Sequence, residues 1–373
     1  MSQPNNYGFE EEAALLKESA RRFFADKLPV EQLHALVADD YRPERELRCK
    51  WRRDLWQGLV DLGWTALAVP EDAGGVGMPW VAVAGLLEEV GRAAFPAPLA
   101  ATLNCAALLQ ACGAAAHGPL GEIAEGCAAT LAVMGESGDW SPAAVQRRDG
   151  ALHGTACYVQ DVAKCQRLLV VAADGADTAL YWVDAAAPGV TVAADAIVDL
   201  TRDQGRVRFD GASGERIDAD GAAAWSAALP VIYTLLAADM VGAAEWQLQT
   251  TVAYAQQRQQ FDRPLGFFQA VKHDLVNVMI AVDESKSLLY SAACALDWEP
   301  ARAAQLAHMA KASASDTAAF ASGRSVQCHG GIGFTWECFV HLYFKRQQHS
   351  QLLWGDGPWH RARLAQLLID RAA

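Results

Sequence analysis

Apolar positions along the chain fall into three successive textures. Up to about residue 125 they recur at helical spacing. Phe9 to Phe24 places Leu15, Leu16, Ala20, Phe23 and Phe24 on one face, which predicts a helix. Further helices are predicted over Trp51 to Val69, ended by Pro70, and over Trp80 to Gly91. Between these two, Val69 to Met78 (VPEDAGGVGM) carries Gly74, Gly75 and Gly77. With no preceding strand and no G-x-G-x-x-G spacing, it reads as a loop rather than a nucleotide-binding turn. From Ala128 to Arg216 the runs shorten: Leu131–Met134, Ala151–Val159, Arg167–Ala172, Thr178–Val183 and Gly205–Phe209, separated by glycine, aspartate and proline. Short strands at this spacing predict a small β-barrel or sandwich. Long helical patterns then return over Pro230–Gln257, Phe267–Leu296, Pro300–Cys328 and from Glu337 onward, as in a four-helix bundle. The class is therefore α+β, with domains expected at 1–127 (helical), 128–221 (β) and 222–373 (bundle).

The helical texture breaks once inside the last block, in Ala253–His273 (AYAQQRQQFDRPLGFFQAVKH), where charge, proline and glycine mark a tight corner between two helices. The corner presents Arg258, Gln260, Phe261, Phe268 and Gln269. A capped corner with a surface arginine accounts for this mixture, because turns are commonly polar. So does a ligand contact, since a guanidinium fork suits phosphate and aromatics with amides suit a flat ring.

Charge narrows the classes of partner. The formal net charge of −13 argues against nucleic acid, which needs a basic face, but leaves room for an anionic ligand held by local cations. Glu10, Glu11 and Glu12, with no apolar signal core, argue against secretion, and the apolar run Ala222–Ala238 is broken by Trp225, Ser226 and Pro230, as in a buried helix rather than a membrane span. Nine cysteines stand singly, without a Cys-x-x-Cys pair, as expected of free thiols in a reducing cytoplasm and not of zinc ligands; no metal site is expected. His341, His349 and His360, at irregular spacing, read as surface or packing residues.

The run R-x-Q-F-D-R-P-L-G-x-F-Q from Arg258 to Gln269 resembles the corner of the acyl-CoA dehydrogenase family, and Gln327–Phe334 (QCHGGIGF) is similar to that family's Q-x-x-G-G-x-G-F. The order PE-x-x-GG-x-G, helix, EE-x-G-R after Val69 is also similar, so the resemblance spans nearly the whole chain. It implies FAD, an acyl-CoA substrate, and removal of two hydrogens from the Cα–Cβ bond. In that chemistry a carboxylate takes the α proton and the flavin takes the β hydride. It further implies that Arg258, Phe261, Phe268, Gln269, Gln327, Gly330 and Gly331 are lent to the adenosine and pyrophosphate part of a neighbouring subunit's flavin. Asp262 replaces the family's usual glycine there.

The elements that would serve the chain's own flavin depart from the pattern. The loop similar to T-E-P-G-A-G-S-D becomes GESGDW (Gly135–Trp140), and Tyr158 and Gln160 stand in the family's W-I-T/S-N strand. One family position for the base falls at Trp354, the other at Ile232, and neither side chain accepts a proton. The family's CoA-contacting arginine and the aspartate before it align with Tyr233 and Pro230, while Asp356 is the nearest carboxylate to Trp354. The resemblance thus leads to a base-deficient subunit of a heteromeric (α2β2) steroid-type dehydrogenase. Its partners would be a glutamate-bearing homologue and an electron-transfer flavoprotein-like acceptor. Two alternatives stand beside it: a self-sufficient enzyme using Asp356, and a non-catalytic homologue.

Overall fold

The computed structural model describes residues 4–38, 50–140 and 144–369, and they fall into the helix, strand, helix order. The first block holds α1 (Glu11–Lys27), α2 (Val30–Val37), α3 (Arg53–Asp61), α4 (Trp80–Arg92), α5 (Leu99–Gln110) and α6 (His117–Ala124). α1 buries Ala13, Ala20 and Phe24 but leaves Leu15 54% exposed, so its inward stripe is displaced from the predicted face. The helix predicted to reach Val69 stops at Asp61. Gly63 takes φ 74°, a left-handed turn that closes the helix end, and the chain continues in turns. Val69–Met78 is the loop its glycines predict, apart from one short helical turn at Glu71–Ala73.

α4 has almost no polar face; every residue from Val81 to Gly91 is buried, Glu88 and Glu89 among them. α7 (Gly221–Gln257) and α8 (Gln269–Trp298) belong to the third block. Buried carboxylates need partners, and these come from α1, from α8 and from Arg92 of α4 itself, with Glu245 of α7 sharing Arg92 and Lys286. Lys17 Nζ lies 2.5 Å from Glu88 Oε2, Lys286 Nζ lies 2.7 Å from its Oε1, and Tyr290 donates its hydroxyl at 2.8 Å. Arg21 grips Glu89 with Nε and Nη2, and Arg92 lies 2.9 Å from Glu245 on α7. Burial alone would raise the Glu88 pKa, but the ammonium groups of Lys17 and Lys286 hold it down to about 2 from the usual 4.5. Because the folded value is depressed, this stabilisation is complete above pH 4.5 and is lost as pH falls towards about 2. Acid titration followed by circular dichroism is expected to show that loss. Glu88→Gln should flatten the pH dependence in the same window while lowering stability at neutral pH.

The middle block is a single curled sheet of β1 (Ala129–Ala132), β2 (Val145–Arg148), β3 (Ala151–Gln160), β4 (Arg167–Asp174), β5 (Asp177–Asp184), β6 (Val190–Ala194), β7 (Gln204–Ala212) and β8 (Glu215–Ile217). Its order is β6-β7-β3-β2-β4-β5-β8, and β1 and β2 share one edge of β4, both parallel to it. Leu168, Val170 and Ala172 of β4 enter the sheet's own core with Val145, Leu152, Val207 and Phe209. Leu169 and Val171 face the helices instead. With both faces covered, β4 reads as a continuous apolar run. β2, β6 and β8 escaped the sequence reading because most of their residues are exposed and carry no apolar alternation.

The third block completes itself with a hairpin of β9 (Gln259–Gln260) and β10 (Arg263–Pro264), then α9 (Pro300–His329), α10 (Val340–Leu352) and α11 (Gly357–Ile369). α7 begins nine residues before Pro230, where it was expected to start. Asp220 caps it, accepting from the amides of Ala222 and Ala223, and Pro230 is carried inside the helix, where burial outweighs the lost hydrogen bond. Its most apolar window is 83% buried, so its length and hydropathy belong to a core helix. The helix expected from Glu337 onward is two helices, broken between Leu352 and Gly357, and together they form the fourth member of the bundle. α4 and α7 cross at glycines: a Cβ on Gly242 would overlap the Glu88 carbonyl, and one on Gly91 the Asp239 carbonyl. One apolar core therefore runs through the first and third blocks without interruption.

Candidate functional site

Local geometry explains why the corner is built as it is. Phe261 and Asp262, the two residues between β9 and β10, have φ 54° and 58°, the pair of left-handed conformations of a tight hairpin turn. Aspartate tolerates that region, so Asp262 can stand where glycine is usual. A phenylalanine there is strained, and the ring of Phe261 is 88% exposed. Arg258, the residue that ends α7, is exposed and makes no ion pair among the described residues. Gln269 opens α8 and is exposed, with Phe268 half-buried just before it.

The structure brings the Gly-rich turn to this corner. Tyr254 stacks on His329 with centroids 4.2 Å apart, joining the last turns of α7 and α9. Gln327 is exposed in that last turn of α9. Gly330 and Gly331 follow it with open space wherever a Cβ would project. Nothing among the described residues crowds these glycines, so their smallness leaves room for something that approaches from outside. Ile332 and Phe334, which follow them, are exposed, as is Phe267 in the corner, and exposed apolar side chains of this kind mark interaction sites.

The second set of residues lies elsewhere. Ile232 and Arg258 share α7 but are separated by 26 residues, roughly 39 Å at 1.5 Å per residue. Ile232 is fully buried. Trp354, at φ 57° and 6% exposure, packs between Trp140 and Trp225 with centroids 5.1 and 5.8 Å away. Beside it Gln160, Asp161, Asn104, Leu235 and Asp239 line a cavity of only about 30 Å³, room for a water molecule and no more. Tyr158, also left-handed, donates its hydroxyl to the Glu136 carbonyl at 3.0 Å, and Gln160 donates to Gln204 Oε1 at 3.0 Å. Trp140, Tyr158, Asp161 and Trp354 are all non-glycine residues at positive φ, a concentration of backbone strain around one point.

Sequence reading missed the charged cluster behind this cavity. Asp239 is 1% exposed and accepts from Arg202 Nη2 at 2.7 Å and from Arg346 through both Nε and Nη2. Asp199 accepts from the amide and hydroxyl of Thr201, both at 2.8 Å, and faces His349 Nδ1 at 3.4 Å. Burial would raise both carboxyls, but Arg202 and Arg346, joined at Asp199 by His349, hold them below the usual carboxylate range. Neither is a proton acceptor near neutrality. These residues come from the β6–β7 connection, α7 and α10, and no local spacing announces them. Asp239 is thus fully paired.

Asp356 is half-buried at the break between α10 and α11, where its Oδ1 accepts from the Trp359 amide at 2.8 Å and caps α11. Behind the same turn Lys311 is fully buried, donating to the carbonyls of Gly355 at 2.8 Å and Gln351 at 3.2 Å and to Ser315 Oγ at 2.9 Å. Burial pushes its pKa down to about 7 against the opposing pull of Asp356. His341 and His360 are buried packing residues and His349 is half-buried, and the described cysteines are all free. Cys49 and the residues after Trp140 up to 143 lie outside the described residues.

Comparison with known proteins decides the family. Residues 10–117 match the acyl-CoA dehydrogenase N-terminal domain and residues 220–369 match the acyl-CoA dehydrogenase C-terminal domain. The chain belongs to the acyl-CoA dehydrogenase family. It is 31% identical over 344 residues to the acyl-CoA dehydrogenase IpdE2 of Mycobacterium tuberculosis, covering 92% of this chain and 93% of the relative. Among solved structures it resembles a Tcur3481–Tcur3483 steroid ACAD (TM-score 0.85, 29% identity, 97% of this chain and 99% of that one). The ChsE4–ChsE5 complex of M. tuberculosis is similar too (TM-score 0.86, 26% identity, 97% and 98%).

Enzymes of this family use FAD, and the two clusters of this acyl-CoA dehydrogenase fit it unequally. The corner fits the anionic adenosine diphosphate part: an unpaired guanidinium, exposed aromatics and two uncrowded glycines face outward together. The inner cluster does not fit an acyl thioester beside a reactive ring. Its cavity is too small, and its carboxylates are held by Lys164, Arg202 and Arg346.

Proposed function

We propose that this chain is the base-deficient subunit of a heteromeric (α2β2) acyl-CoA dehydrogenase and completes the FAD site of a homologous, glutamate-bearing partner. The observation that carries this reading is the separation of its two clusters. Arg258, Gln269, Gln327, Gly330 and Gly331 face outward at one end of α7, while both family positions for the base hold buried hydrocarbon or indole at the other. FAD bound in the shared site supplies the hydride acceptor. From this chain come the guanidinium of Arg258 for the pyrophosphate, the rings of Phe261 and Phe268 for a flat surface, and Gln269 and Gln327 as donors. The partner supplies the proton acceptor, and a bulky, steroid side-chain-like acyl-CoA is the substrate. That choice follows the similarity to the Tcur3481–Tcur3483 steroid ACAD. Electrons pass on to an electron-transfer flavoprotein-like acceptor, and the scattered thiols suit the cytoplasm.

Copurification with a glutamate-bearing homologue, at one flavin for each pair of chains by absorbance, is the expected result. A colourless complex, or full flavin occupancy in an assembly of this chain alone, would sink the proposal. Self-sufficient catalysis through Asp356 makes a separate prediction. Because its carboxylate caps α11, Asp356→Asn should lower stability slightly and leave dye reduction by the complex within about twofold. A fall of a hundredfold or more would make Asp356 the base.

A further inference from the structure

The short turn ahead of α1, Asn5–Gly8, holds consecutive non-glycine residues in the left-handed region, Asn6 at φ 50° and Tyr7 at φ 57°. Such backbone is unfavourable for a bulky side chain and persists only where its surroundings enforce it. Local contacts do so here. The Asn6 carbonyl accepts from the Phe9 amide at 2.9 Å, and Asn6 Nδ2 donates to the Phe9 carbonyl at 2.8 Å. Gly8, at φ 73°, lies so close to Trp298 at the end of α8 that a Cβ would stand 2.6 Å from the indole. Tyr7 is nevertheless only half-buried, because it forms one wall of a cavity of about 330 Å³ between this turn and α8. That volume is in the range of small-molecule sites, which combine apolar walls with a few fixed polar groups.

Phe9 and Tyr290 form further walls and meet edge to face, with centroids 5.2 Å apart. Gly85 of α4 makes room for the Phe9 ring, since a Cβ there would stand 2.8 Å from it. The Tyr290 hydroxyl is engaged in the core, donating to Glu88 Oε2 at 2.8 Å and accepting from Lys17 Nζ at 3.0 Å, so Tyr290 offers the cavity its ring. Tyr7 makes no ring contact with either aromatic among the described residues, and the rings border the space without filling it.

Charge separates the possible ligands. Lys286 lines the cavity, but its ammonium is drawn inwards by Glu88 Oε1 at 2.7 Å and Glu245 Oε2 at 3.1 Å. Asp283, one turn earlier on α8, also lines it, is exposed and forms no ion pair among the described residues. The charge left for a ligand is therefore negative, and it stands beside aromatic rings whose faces carry negative potential.

We infer that this cavity binds a small organic cation, an ammonium or quaternary ammonium group held by the rings of Tyr7, Phe9 and Tyr290 with Asp283 as its counter-ion. None of these residues belongs to the corner or to the inner cluster, so the site is independent of the heteromer reading.

Calorimetric titration of the protein as purified, with any partner retained, compares choline with its uncharged isostere, in which carbon replaces the nitrogen. Choline is expected to bind at least about tenfold more tightly. Asp283→Asn removes an exposed charge with no internal partner to strand, and should cut that preference about fivefold. Tyr7→Asn separates recognition from folding. Asparagine tolerates left-handed backbone, so the unfolding midpoint should hold or rise while choline affinity falls. Equal binding of the two probes, no binding of choline, or choline binding that either variant leaves unchanged overturns the inference.

Discussion

Alone, this chain is expected to oxidise acyl-CoA at least a hundredfold more slowly than a complex with a glutamate-bearing homologue. General base catalysis contributes about 10²–10⁴-fold, and the chain places no free carboxylate at either family position. Trp354 fills one position in a stack with Trp140 and Trp225, and Ile232 is sealed in the core at the other. Steady-state dye reduction by the separate chain and by the coexpressed pair is the comparison to make. Within the pair, Arg258→Ala should release flavin, because it removes the only guanidinium proposed for the pyrophosphate. The same substitution should leave the fold intact, since Arg258 is exposed and carries no ion pair among the described residues. Equal rates for the chain and the pair would refute the division of labour.

The second large effect concerns stability. Asp239→Leu is expected to cost about 3–5 kcal/mol, the usual penalty for breaking a buried ion pair from one side. It would leave the Arg202 and Arg346 guanidinium groups facing each other in the core, with Asp199 and Asp161 left to offset them. Because Arg202 precedes β7, Asp239 lies on α7 and Arg346 on α10, the cluster clamps the sheet to the bundle. Urea unfolding of the variant should therefore show a lower midpoint. Adding Arg346→Met should recover part of the loss by removing one of the stranded charges. If the single variant unfolds within about 1 kcal/mol of the parent, the clamp has been misjudged.

Periodicity along the chain was enough to locate α1, α4, α8 and α9, the main strands β3, β4, β5 and β7, and the order of the three blocks, because each of these exposes a repeating apolar face or fills a core on both sides. Local chemistry likewise marked the corner: proline, glycine and aspartate make a turn wherever they stand. Residue identity alone led to the proposal that the base is missing, since tryptophan and isoleucine cannot take up a proton in any fold. Tertiary structure decided what depends on distance through space. It carried Pro230 inside α7, paired Glu88 with Lys17 and Lys286, and gathered residues 199, 202, 239, 346 and 349 into one charged cluster. Buried polar groups must find partners, but any residue of the right charge serves wherever the chain brings it near, so such pairings have no period to read.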